Sequence, residues 1–124
     1  MELRDFPSGK TAFYRFDAQG EPRAVILLVH GLGEHAGRYA GWAGRFNEKG
    51  VTLLAFDLPG HGRSQGPALT TVEAIADWLV HVQDAAGIAQ ASLVGHSLGA
   101  LAALACAATH PQRVTKIALL GPAV

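Results

Sequence analysis

The chain has 124 residues, of which 49% are hydrophobic, and this composition predicts a single folded domain over residues 1–124 and excludes a disordered polypeptide. Ten basic residues balance ten acidic ones, so the charge offers no electrostatic footprint for nucleic acid or for an anionic membrane surface. We therefore expect a small molecule as the partner.

Five apolar segments are predicted β-strands. The first, Ala12 to Phe16, has the more alternating pattern. The other four are apolar at nearly every position, which is typical of strands buried on both faces of a parallel sheet. These four segments are Ala24 to Val29, Val51 to Phe56, Ala91 to Val94 and Lys116 to Leu120.

Three helices are predicted between these strands. The first covers Arg38 to Lys49, with aromatic residues at helical spacing and Gly50 placed to end it. The second follows a capping box, Thr70-Thr71-Val72-Glu73, and the third runs from Leu98 to Ala108 and stops before Pro111. The apolar stripe of the second helix consists of Val72, Ile75, Leu79 and Val82. Strands that alternate with helices predict a parallel α/β sheet.

Nothing in the sequence indicates export or membrane insertion. Met1 to Asp5 lacks the apolar core of a secretory signal, and the longest apolar stretch, within Leu98 to Ala108, is too short to span a bilayer. The lone Cys106 has no disulfide partner and is predicted to be a small core residue, which fits a reducing compartment. We expect a cytoplasmic protein with no integral membrane segment.

The segment Gly95-His96-Ser97-Leu98-Gly99 fits the GxSxG nucleophile elbow, in which a sharp strand-to-helix turn exposes the serine hydroxyl. A predicted buried strand leads into this segment and a predicted helix leads out of it, as that turn requires. We predict Ser97 as the nucleophile. The alternative is that Ser97 only caps the helix.

Two backbone N–H groups are predicted oxyanion donors. The Leu98 N–H lies at a helix N-terminus, where unsatisfied amides and the helix dipole favour a developing negative charge. The Leu32 N–H follows the strand Ala24 to Val29, within a Gly31-Leu32-Gly33 turn. Loops from neighbouring strands converge at the switch point of such sheets, so both groups could face one crevice. The alternative for the second turn is a tight glycine turn with no catalytic role.

Three motifs, "HGLGEHAGRY", "FDLPGHGRSQGP" and "GHSLGA", occur in this order between His30 and Ala100. Together they resemble the amino-terminal portion of the α/β-hydrolase superfamily, in its monoacylglycerol lipase and lysophospholipase-like branch of the serine aminopeptidase S33 type. The resemblance implies a parallel-sheet α/β-hydrolase core, truncated before the cap and the C-terminal strands. It matches the nucleophile to Ser97 and the oxyanion amides to Leu32 and Leu98. It gives Asp57 and His61 a structural role.

The histidine and the acid that follow the serine in this family are not found. No Asp or Glu follows Ser97, and His110, at the far end of the predicted helix, lies too far along it to act as the base. His96 is adjacent to the serine and points elsewhere. Asp57 with His61 is an alternative relay that we disfavour. The other histidines, His30, His35 and His81, are predicted to be polar loop or helix-surface residues.

Our leading hypothesis is a serine hydrolase of monoacylglycerol-like or other small carboxylic esters, acting through an acyl-enzyme at Ser97 without a metal or organic cofactor. This chain alone is expected to turn over little. A second hypothesis is a catalytically silent binding or assembly module that pairs through the edge near Lys116 to Leu120, which the sequence leaves without a covering element. A third keeps the fold and changes the chemistry to that of a peptidase, lactonase or haloperoxidase.

Overall fold

The computed structural model describes residues 1–122, which form one six-stranded sheet with helices on both faces. The strand order is β1-β2-β4-β3-β5-β6. Strands β3, β4, β5 and β6 are parallel, whereas β1 and β2 are antiparallel to their neighbours. The strands are β1 (Glu2–Phe6), β2 (Gly9–Phe16), β3 (Ala24–Val29), β4 (Val51–Phe56), β5 (Ala91–His96) and β6 (Val114–Leu120).

Three α-helices connect the parallel strands. They are α1 (Ala43–Glu48), α2 (Val72–Ala86) and α3 (Leu98–Thr109). Two 3₁₀ segments, Ala36–Trp42 and Pro111–Arg113, precede α1 and β6. The α/β alternation predicted from the sequence is confirmed, and the bounds of β3 and β4 agree with it.

The sheet is mixed, because β2 runs antiparallel to β4, and a first strand that the sequence pattern did not reveal pairs with β2 at its other edge. Strand β1 alternates charged and apolar residues, and its pairing places Leu3 opposite Ala12. Its charges are satisfied locally, since Arg4 pairs with Glu2 and Asp5 pairs with Lys10. Charged residues of this kind are typical of an edge strand, where they oppose pairing with a further strand.

The predicted helix from Arg38 to Lys49 is wrong as a single helix. The 3₁₀ segment Ala36–Trp42 occupies its first part and α1 only its second. Three glycines, Gly37, Gly41 and Gly44, lie in this stretch, and glycine weakens a helix interior through its backbone entropy. In α2 the cap lies one residue later than predicted, because the Thr71 hydroxyl accepts the Ala74 N–H at 3.0 Å.

The core consists of two layers, one on each face of the sheet. The larger layer joins β2, β3, β4 and β5 to α2 and α3, and in it Phe13 stacks on Phe56 with ring centroids 5.5 Å apart. The smaller layer packs Leu28 and Leu53 against Tyr39 and Ala43. Cys106 lies in the larger layer, as predicted, and burial raises the pKa of its thiol to about 11.

The prediction that the last strand is buried on both faces is wrong for the described residues. Six of the seven residues of β6 are exposed, including Ile117, Leu119 and Leu120. The reason is that β5 covers one edge of β6 and α3 covers one face, whereas residues 1–122 place nothing against the other edge. None of the helices within residues 1–122 is both long and apolar enough to cross a bilayer.

Candidate active site

Ser97 occupies a strained turn between β5 and α3. Its backbone has φ +57° and ψ −116°, and within residues 1–122 it is the one residue other than glycine with a positive φ. Such strain persists where the surrounding structure holds it, and it is typical of functional sites. The turn therefore has the backbone geometry that a nucleophile elbow requires.

The two glycines of the motif are required by close backbone approach. A Cβ on Gly95 would meet the backbone of Gly99 and Ala100 within 3.0 Å, and a Cβ on Gly99 would meet the carbonyls of Val29 and His30 within the same distance. Side chains at either position would push α3 away from the sheet. The sequence pattern thus follows from packing as well as from chemistry.

The loop after β3 lies directly against this turn. A Cβ on Gly31 would be 3.0 Å from the Ser97 Cβ. Leu32 and Leu98 both line one small cavity of about 30 Å³, together with Leu58, Pro59, His61, Ala68, Leu69 and Ile75. The structure therefore brings the three predicted site residues, Ser97, Leu32 and Leu98, into one region at the carboxyl ends of β3 and β5.

A partly buried carboxylate that the sequence analysis missed joins the two segments. One Glu34 oxygen, Oε2, accepts the Gly31 N–H at 3.1 Å and lies 2.6 Å from His96 Nδ1. The other, Oε1, accepts from Tyr39 Oη at 2.5 Å and from Arg38 Nη1 at 2.7 Å. The only available signal in the sequence was an acidic residue two positions after Leu32.

His30 is fully buried, so its prediction as a polar loop residue is wrong. Its Nδ1–H donates to the Gly31 carbonyl at 2.7 Å, and its Nε2 accepts the Leu58 N–H at 2.9 Å. Burial lowers the pKa of this imidazole, with a smaller lowering from the nearby His61, and these effects outweigh the hydrogen bond to Gly31 that raises it. His30 is therefore a neutral bridge between the loops after β3 and β4.

Asp57 and His61 have the contacts of structural residues. The buried Asp57 carboxylate accepts the N–H groups of Ala36 and Arg63 at 2.7 and 2.8 Å. His61 Nδ1 lies 3.1 Å from the Pro59 carbonyl, and its ring packs on His30 with centroids 5.2 Å apart. Both Asp57 oxygens are thus used to hold loops, in agreement with the structural role that we expected.

No histidine in the described part of the chain hydrogen-bonds the Ser97 hydroxyl. His96 contacts Glu34, and His110, at the end of α3, lies 2.8 Å from Asp77. His35 and His81 are exposed, on the loop after β3 and on α2 respectively. Within residues 1–122, the serine therefore has oxyanion candidates beside it and lacks a bound base.

The sheet, its crossover helices and a serine in a positive-φ turn between β5 and α3 define the chain as an α/β-hydrolase. A family model described as "Serine aminopeptidase, S33" matches residues 20–124. The chain belongs to this family, in its monoacylglycerol lipase-like branch.

The chain is similar to several relatives over most of its own length. It is 35% identical over 111 residues to the monoacylglycerol lipase of Mycolicibacterium smegmatis, covering 84% of this chain and 39% of the relative. It is 33% identical over 124 residues to the monoglyceride lipase of Homo sapiens, covering 94% and 41%. The crystal structure of the Paleococcus ferrophilus monoacylglycerol lipase superposes with a TM-score of 0.79 at 34% identity, covering 98% and 44%. The chain thus spans about two fifths of the curated relatives' length.

Proposed function

We propose that this chain carries the nucleophile and the oxyanion hole of a serine ester hydrolase whose substrates are monoacylglycerols or similar carboxylic esters. The observation that carries the proposal is the positive-φ turn at Ser97 with the Gly31–Leu32 loop against it. The relatives described as monoacylglycerol lipases support the substrate class. A cytoplasmic location, in keeping with the buried free thiol of Cys106, belongs to the same proposal.

In the proposed reaction, Ser97 Oγ attacks the ester carbonyl carbon as a base removes the hydroxyl proton. The carbonyl oxygen becomes an oxyanion that accepts hydrogen bonds from the Leu32 and Leu98 N–H groups. Collapse of this intermediate breaks the bond to the alcohol, which leaves with a proton, and the acyl group remains on Ser97. Water then releases the carboxylic acid and regenerates the serine.

Residues 1–122 place no general base at the Ser97 hydroxyl. We therefore expect slow acylation by this chain alone. Loss of triad members leaves the contributions of the oxyanion hole and of substrate binding, on the order of 10³-fold over water. A partner segment or chain that supplies an imidazole to Ser97 Oγ would restore the remainder.

The test is labelling with a fluorophosphonate, followed by intact-mass and peptide analysis of the full 124-residue chain. We expect slow labelling confined to Ser97, which Ser97→Ala abolishes. Ser92→Ala is the matched control, because Ser92 lies on β5, the strand that leads to Ser97, and its hydroxyl contacts Thr115 at 3.1 Å. Labelling spread over several serines, or unchanged in Ser97→Ala, would overturn the proposal.

The exposed strand β6 favours a second candidate function, a module that pairs with another chain. Its apolar residues Ile117, Leu119 and Leu120 are each more than a third exposed, and sheet edges of this kind accept further strands. Sedimentation velocity at micromolar concentration tests this function. A monodisperse monomer over a hundredfold range of concentration would count against it.

A further inference from the structure

Glu34 lies between the loop that contains Leu32 and the turn that contains Ser97. Its side chain is 12% exposed, and four donors surround its carboxylate. An ionised carboxylate offers about four lone-pair sites, so this group is fully satisfied where it stands. Burial alone would raise its pKa, but the hydrogen bonds from Tyr39 and His96, with the charge on His96 and Arg38, lower it to about 2.

One oxygen of this carboxylate connects the residues that precede the two functional positions. Oε2 accepts the N–H of Gly31, which precedes Leu32, and lies 2.6 Å from Nδ1 of His96, which precedes Ser97. Glu34 and His96 are 62 positions apart in the sequence. The contact is therefore made only in the folded protein.

The next peptide along the chain, Gly31–Leu32, is held at its carbonyl. The Gly31 carbonyl accepts the Glu34 N–H at 3.1 Å and the His30 Nδ1–H at 2.7 Å. Because a trans peptide is planar, the Leu32 N–H points opposite to that carbonyl, and its direction is fixed with it. Glu34 thus holds Gly31 twice, through its side chain at the N–H and through its backbone at the C=O.

We propose that Glu34 is a positioning residue, whose carboxylate sets the Leu32 N–H relative to Ser97 by holding Gly31 and His96 on one oxygen. The inference rests on the proposed function, since it assigns the Leu32 N–H a role in binding the oxyanion. Glu34 acts through these neighbours and does not itself contact the reacting atoms.

Three variants separate this role from general stability. Glu34→Gln keeps the shape of the side chain but replaces one acceptor oxygen with an NH₂ group, and Glu34→Asp keeps the charge on a shorter stem. Tyr39→Phe removes a donor to Oε1 and leaves the bonds of Oε2 intact. The matched control is Glu21→Gln, because Glu21 is exposed in the loop before β3.

The first measurement needs no catalytic activity. In ¹⁵N NMR spectra of the full chain, Glu34→Gln is expected to shift the Gly31 and Leu32 amides and to speed hydrogen exchange of the Gly31 N–H. The imidazole nitrogens of His96 are expected to change with them. Glu21→Gln is expected to leave these signals in place. Tyr39→Phe removes a hydrogen bond to Oε1 and keeps the acceptor Oε2, so it is expected to move them less than Glu34→Gln does.

The second measurement is the saturation kinetics of Ser97 labelling with the fluorophosphonate, with the inactivation rate constant and the binding constant fitted separately. We expect Glu34→Gln to lower the rate constant about tenfold to hundredfold with little change in binding, since a misplaced oxyanion donor acts on the transition state. Glu34→Asp is expected to recover part of the loss. Far-UV circular dichroism verifies that each variant is folded.

The outcomes separate the two proposals. Unchanged Gly31, Leu32 and His96 signals in folded Glu34→Gln would overturn the inference, as would a rate constant equal to that of the parent chain. If the parent chain does not label at Ser97 at all, the proposed function fails for this chain, and the NMR result alone then decides whether Glu34 positions the loop.

Discussion

The turn around Ser97 lies next to the outer strand β6, but the two regions differ in how far other residues cover and bind them. Around Ser97, glycines admit the close backbone contacts, and Glu34, Asp57 and His30 each bind neighbouring N–H or C=O groups. Along β6, three large apolar side chains are exposed. The backbone around Ser97 is therefore held by contacts within residues 1–122, whereas the apolar outer strand is left uncovered by them.

The largest expected effect comes from a side chain placed at Gly99, in the closely packed region around Ser97. We expect Gly99→Ala to lower the free energy of unfolding by about 3 kcal/mol or more, because its Cβ would overlap the backbone at Val29 and His30. Urea unfolding measures the change. Gly44→Ala in α1 is the control, since its Cβ would meet nothing within 4 Å, and it is expected to stabilise by up to about 1 kcal/mol. Equal stabilities of Gly99→Ala and the parent would contradict the packing argument.

A smaller effect follows from the buried His30. Burial lowers its pKa below the ordinary value of 6.5, so the unfolded chain takes up the proton first as the pH falls. Stability should therefore decrease as the pH drops below about 6.5, by no more than about 1.4 kcal/mol for each pH unit. Urea unfolding at pH 7 and pH 5 measures the loss.

His30→Gln should reduce the difference in the free energy of unfolding between pH 7 and pH 5, even if it also lowers the free energy of unfolding at pH 7. His81→Gln is the control, because His81 is exposed on α2, and it should keep the dependence of the parent. Identical pH profiles for the two variants would show that His30 does not govern the loss.

The smallest expected change in stability lies on the outer strand. Ile117→Lys should lower the free energy of unfolding by about 1 kcal/mol or less, because Ile117 is 36% exposed and a lysine ammonium can reach water from this strand. It should nevertheless reduce self-association, since a charge on an edge strand opposes further pairing. Light scattering compares the self-association of Ile117→Lys with that of Lys116→Arg, a control variant that keeps the charge at its position. Equal self-association of the two variants would contradict the prediction that the exposed strand β6 drives association.

The sequence was most informative where a local pattern decides the structure. Strands β3 and β4 were predicted with the observed bounds, because their apolar runs end at clear turn signals. The Ser97 turn was predicted because the Gly95-x-Ser97-x-Gly99 pattern follows an apolar run and precedes a helical pattern. Both predictions used residues near one another in the sequence.

The features that were missed depend on residues that only folding brings together. Glu34 meets His96 across 62 positions, and no local pattern indicates that contact. The burial of His30 depends on Leu58, which approaches from the loop after β4. The uncovered edge of β6 was expected, but the exposure of its side chains was missed, since an apolar run shows that a strand can be covered and does not show what covers it.

A hydrogen bond at the end of the outer strand β6 connects this strand to the Ser97 turn. The Ser97 N–H donates to the Leu120 carbonyl at 3.0 Å, so the strained turn is hydrogen-bonded to the last residue of β6. Leu120 is itself 38% exposed. The Ser97 turn is thus joined to the outer strand by this bond as well as by the ladder between β5 and β6, so a displacement of Leu120 would also displace the Ser97 N–H.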